Sequence, residues 1–145
     1  MLSVWYNIGN KNPNTFNKKM SHFSKIKTSI TDKDVLIKAL NSLGYSAQED
    51  VTLEIRGSHG LNHPEFNVEV GITNDVGFKL TNGKFELVAE LDTWEEPFPI
   101  ERFLEKVTQA YAKVMVVETV QKQGFTVVTE SKSVDNTIEI VAEKW

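Results

Sequence analysis

His59 and His63 stand four residues apart, a spacing that would let two imidazoles share one metal if both sat on one helix face. Their segment, Arg56-Gly57-Ser58-His59-Gly60-Leu61-Asn62-His63-Pro64, carries two glycines and a proline, so it reads as a loop. It also lacks the glutamate of a His-Glu-x-x-His pattern. His22 could complete a three-histidine set only if the first strand of the domain ended beside this loop. The reading is therefore solvated loop histidines, with no metal and no cofactor. The same loop has a second use. Gly57 and Gly60 can expose backbone amides beside Arg56, which would suit an anion or a partner's acidic group. A third cluster surrounds Trp94, where Glu90, Asp92, Glu95 and Glu96 gather. Paired carboxylates can move protons or hold a cation, but Glu95 and Glu96 precede a helix, where negative charge meets the positive dipole end. Trp94 is the sharper feature, because a Trp in a charged loop either caps the core or meets a partner. Arg56, Gly57, His59, Gly60 and Trp94 are accordingly the candidate contact residues. No catalytic residue is assigned, and no Gly-x-Ser-x-Gly elbow, phosphate loop or dinucleotide fingerprint occurs.

Composition narrows the classes. With 145 residues the chain suits one domain with an ordinary buried core. It has no cysteine, which removes disulfides and thiolate chemistry. Net charge is −4, spread unevenly. Residues 1–19 hold Lys11, Lys18 and Lys19 and no acid, which leaves −7 for the remainder. Such a domain is a poor partner for a phosphate backbone, so nucleic acid is not expected. No stretch reaches the roughly 20 apolar residues of a membrane span.

The elements that position these residues begin at Met20. Before it, residues 1–19 are basic and Asn-rich, with Gly9 and Pro13, and read as a flexible N-terminal extension. From Met20 to Trp145 the texture is that of a single domain. His22–Ile30 alternates as a strand. A helix follows with Thr31 as the expected N-cap, an apolar stripe at Leu36, Ala39, Leu40 and Leu43, and a Gly44-Tyr45 ending. Strands are expected at 51–56, 66–72, 76–80 and 85–91. Asn82-Gly83 is a type I′ hairpin signal that pairs Leu80 with Phe85 and Lys79 with Glu86. A long helix runs from Ile100 to Gln123 and ends at Gly124-Phe125; two last strands follow. Short links imply antiparallel pairing. The expected fold is α+β: a mainly antiparallel sheet of about six to eight strands with two helices packed on one face.

Several separated blocks carry a family resemblance. Met20–Thr28, Val76–Ala89, Phe103–Ala112, Lys122–Val127 and the terminal Trp145 together resemble the hypothetical chloroplast reading frame thirty-five family. The resemblance implies a plastid protein, in the chloroplast stroma, from a family with no assigned activity or catalytic residues. The extension before Met20 departs from the family pattern and leaves open whether translation starts at Met1 or Met20. On this reading the chain is a non-enzymatic interaction, accessory or assembly module for a protein partner. The alternative is an enzyme or small-ligand protein holding an anion at the Arg56–His63 loop.

Overall fold

The computed structural model describes residues 2–8, 23–54, 65–73, 75–90, 94, 96–134 and 137–144. In chain order the elements are β1 (Leu2–Ile8), β2 (Phe23–Lys27), α1 (Lys33–Ser42), β3 (Gln48–Glu54), β4 (Glu65–Thr73), β5 (Val76–Thr81), β6 (Lys84–Glu90), α2 (Ile100–Lys122), β7 (Thr126–Lys132) and β8 (Ile138–Lys144). The class is the expected α+β, and among the described residues every strand pair is antiparallel. Among the described residues the strands divide between two sheets, five in the order β2-β6-β5-β4-β3 and three in the order β1-β8-β7.

Both helices cover one face of the five-stranded sheet. Leu36 and Leu40 of α1, with Ile100, Phe103, Leu104 and Val107 of α2, pack on Ile26, Val70, Phe78, Phe85, Leu87 and Ala89. At 23 residues α2 is about 35 Å long, which carries it beyond that sheet. Its second half lies on the smaller one: Ala112, Val116 and Val117 meet Ile138 and Ile140, and Val120 meets Phe125 and Ala142. One helix thus closes both layers. Surface ion pairs brace α1, from Lys38 to Glu118 on α2 and from Lys33 to Glu49 on β3 at 3.0 Å.

The local signals explain the boundaries. Asn82 and Gly83 both have positive φ, and β5–β6 takes the expected register, Leu80 opposite Phe85 and Lys79 opposite Glu86. Each helix ends in the same way. Tyr45 N–H donates to the Leu40 carbonyl and Phe125 N–H to the Val120 carbonyl, around Gly44 and Gly124 at φ of 93° and 87°. The start of α1 differs from expectation by one residue. Asp32 is the N-cap, its carboxylate accepting from Val35 N–H at 3.1 Å. An ionised acceptor at the positive end of the helix outcompetes the Thr31 hydroxyl. Thr31 and Asp32 instead donate their backbone N–H groups to the Tyr111 hydroxyl.

The N-terminal segment also departs from expectation. Leu2–Ile8 is not a loose tail; it pairs with β8 along its whole length, from Leu2 opposite Lys144 to Ile8 opposite Ile138. Leu2, Val4, Tyr6 and Ile8 alternate with Ser3, Trp5 and Asn7, a strand pattern that the Asn-rich composition of the following residues dilutes. Residues 9–19 lie outside the described residues.

Candidate functional site

Of the residues singled out by sequence, Trp94 is described. Arg56, Gly57, His59, Gly60, His63 and His22 lie outside the described residues, as do Asp92 and Glu95. Among the described residues no cluster of His, Asp or Glu could hold a metal ion.

The Trp94 segment forms an aromatic cap over the start of α2. Trp94 is half-buried, and its Nε1–H donates to the Phe98 carbonyl at 2.6 Å, closing the turn that leads into the helix. Its ring meets Phe103 edge-on at 5.3 Å between centroids and Phe98 at 6.4 Å. Tyr45, just past the Gly44 turn that ends α1, approaches Phe103, again edge-on at 5.3 Å. Burial first, then the adjoining Glu96 carboxylate, pushes the Tyr45 hydroxyl above its ordinary pKa. Glu96 thus holds a tyrosine rather than a cation. Glu90 is fully buried and shares the face of β6 that carries Val88, away from the helices. Of the acidic cluster, the two described members, Glu90 and Glu96, therefore do not converge on one solvent-facing site. The cap reaches further through Phe98, because the Lys106 ammonium sits 4.3 Å from the centre of that ring.

Lys106 opens onto a groove of about 510 Å³ where α1, α2 and β7 meet. That volume falls within the range of small-molecule pockets, roughly 300–1,000 Å³. Leu43, Ala110 and Ile138 supply apolar surface; Lys106, Lys113 and Lys132 supply positive charge, against a single carboxylate, Glu130. Lys106 and Lys113 lie seven residues apart on α2, two turns and about 10.5 Å along one face. Glu130 pairs with Lys113 at 3.0 Å. Register places Glu130 opposite Ile140 and Lys132 opposite Ile138, so both project toward α2 rather than away from it. A net charge of +2 in a chain of net −4 is an electrostatic exception, suited to a carboxylate-bearing or phosphate-bearing partner.

Sequence reasoning passed over these lysines. Each one alone reads as a solvated surface residue, and their convergence depends on where α2 crosses β7. The one available signal was the i, i+7 repeat of Lys106 and Lys113 beside the buried stripe.

Residues 39–141 match the family described as "Protein of unknown function (DUF1257)". The chain is 32% identical over 126 residues to the uncharacterized protein ycf35 of Pyropia yezoensis, covering 87% of this chain and 98% of the relative. The uncharacterized protein ycf35 of Cyanophora paradoxa is 31% identical over 130 residues, and that of Guillardia theta 30% over 126, each with the same coverage. No solved structure matches the chain. Among the described residues no helix is long and apolar enough to cross a membrane.

Proposed function

The chain belongs to the DUF1257 family, and from that premise we propose that it works in the chloroplast stroma as a non-enzymatic interaction module, gripping a protein partner in the α1–α2–β7 groove. The plastid assignment is supported by the ycf35 relatives, whose designation abbreviates hypothetical chloroplast reading frame 35. The interaction reading is carried by the lysine-lined groove. Its walls come from two helices and two strands, so the lysines are carried on regular elements, and its apolar surface gives a partner side chain somewhere to bury. Trp94 supports the site from behind, because the turn it closes presents Phe98 to Lys106.

A photo-crosslinking amino acid at Leu43, which lines the groove, tests the reading in plastids of the source organism. A discrete protein adduct is expected from Leu43 and not from Thr52, which lies on β3 outside the groove. Adducts at neither position would remove the interaction reading. The ligand-binding alternative is separated by thermal shift with inorganic phosphate and phosphorylated metabolites. Ligand at 100 times its dissociation constant adds about 2.7 kcal/mol of stability, and such a shift would move the assignment to a small-molecule site.

A further inference from the structure

We infer that the partner presents an extended acidic segment, which adds as a strand to the outer edge of β7 and sets its carboxylates on Lys106 and Lys132; this rests on the interaction reading above. β7 ends its sheet: among the described residues it has β8 on one side and no strand on the other. It is also the most exposed strand whose side chains are described, with six of its seven residues exposed, including Val128 at 48%. An open edge presents unpaired N–H and C=O groups at strand spacing, the feature that extended peptides use when they join a sheet.

Two observations select the occupant. The first is a register irregularity between Val127 and Thr129, which disturbs the front of the strand and leaves Thr129–Lys132 as the regular run. That run holds Glu130, Ser131 and Lys132, the β7 residues that line the groove. A strand added there lies along the groove mouth. The second is charge. Side chains of an added strand alternate between its two faces, so those on the α2 side meet Lys132 at one end and Lys106 across the groove. Lys113 already faces Glu130, whereas Lys106 and Lys132 are exposed and, among the described residues, have no carboxylate in ion-pair contact. Alternating acidic and β-branched residues satisfy both demands, with backbone pairing from the edge and ion pairing from one face. A basic or neutral strand would meet the edge and be repelled or ignored by the groove.

The test uses the full chain and a fluorescein-labelled decapeptide of alternating glutamate and valine, followed by anisotropy. Saturable binding that weakens with salt is expected. The same peptide N-methylated at alternate residues keeps its charge but loses its donors, and should bind roughly tenfold more weakly or worse. Lys106→Glu with Lys132→Glu, two exposed positions, should weaken binding by at least a similar factor with an unchanged circular dichroism spectrum. Equal affinity for the methylated peptide would overturn strand addition. So would displacement by inorganic phosphate beyond its ionic-strength effect, or a homodimer that the peptide dissociates. A Leu43 adduct in plastids without decapeptide binding removes the acidic-strand inference and leaves the interaction reading intact. Decapeptide binding without any adduct removes both.

Discussion

Trp94 is the residue on which two accounts of the chain separate most cleanly, and its replacement gives a graded result. Trp94→Phe keeps an aromatic ring against Phe103 and Phe98 but deletes the Nε1–H that donates to the Phe98 carbonyl at 2.6 Å. A net loss of about 0.5–1.5 kcal/mol follows from that one hydrogen bond. Trp94→Ala also removes the ring. Fully buried Trp or Phe to Ala costs about 3–5 kcal/mol, and Trp94 is half-buried, so about 2–3 kcal/mol is expected. Part of this is specific to ring geometry, at about 0.5–1.5 kcal/mol per edge-on pair. A double-mutant cycle with Phe103→Leu should therefore show coupling of that size, whereas a cycle with Val120→Ala, at the far end of α2, should be additive to about 0.5 kcal/mol. Urea unfolding followed by far-ultraviolet circular dichroism is the suitable assay, since removing Trp94 alters fluorescence directly. In thermal melts each kcal/mol should appear as roughly 2–4 °C for a chain of this size. If Trp94→Ala unfolded within about 0.5 kcal/mol of the parent, Trp94 would be a partner-contact residue and the capping argument would fall. The Lys106 position would then also lack its support through Phe98.

Three further outcomes are expected. In Gly77→Ala the new methyl would sit 2.9 Å from the Val70 carbonyl oxygen and 2.9 Å from Val68 Cγ2, so the variant should lose about 1–3 kcal/mol in urea unfolding. Trimming Leu53, 3.2 Å away, should not restore it, because the backbone oxygen cannot retreat. Tyr45 holds its proton more tightly when folded than when unfolded, so its contribution is complete below about pH 10 and is lost as pH rises through the raised folded value. Tyr45→Phe should flatten that alkaline decline in urea midpoints, and an unchanged slope would remove the buried-tyrosine account. Deleting residues 1–8 strips β8 of seven cross-strand positions and should cost on the order of 2–4 kcal/mol; an unchanged melting temperature would mean that β1 adds nothing to the sheet.

The fold was largely legible because its signals are local. Asn82-Gly83 specifies a turn whose geometry sets the β5–β6 register with no help from the rest of the chain. Gly44-Tyr45 and Gly124-Phe125 end their helices by the same short-range hydrogen bonds. Division of the strands into two sheets was not legible, since it depends on the length of α2 and on which neighbours β8 finds. The β1 strand was hidden for a related reason: seven alternating residues carry little weight inside a window dominated by Asn, Lys and Gly.

The same contrast explains why the groove escaped a reading that searched for motifs. A motif is a set of residues whose spacing along the chain is fixed by the chemistry they share. Lys106, Lys113 and Lys132 have no such spacing. They meet because Val107 and Ala110 are buried on the helix flank between Lys106 and Lys113, while Ile138 and Ile140 set the facing side of the small sheet. The apolar stripe that reads as core is thus what aims the charged residues beside it. Two consequences follow for any test of function. Changes in the stripe will disturb the groove through folding, so they cannot isolate it. Charge reversals at Lys106 and Lys132 leave the stripe untouched; because Lys106 also rests on the Phe98 ring, loss of binding reports on the surface where the urea midpoint is unchanged.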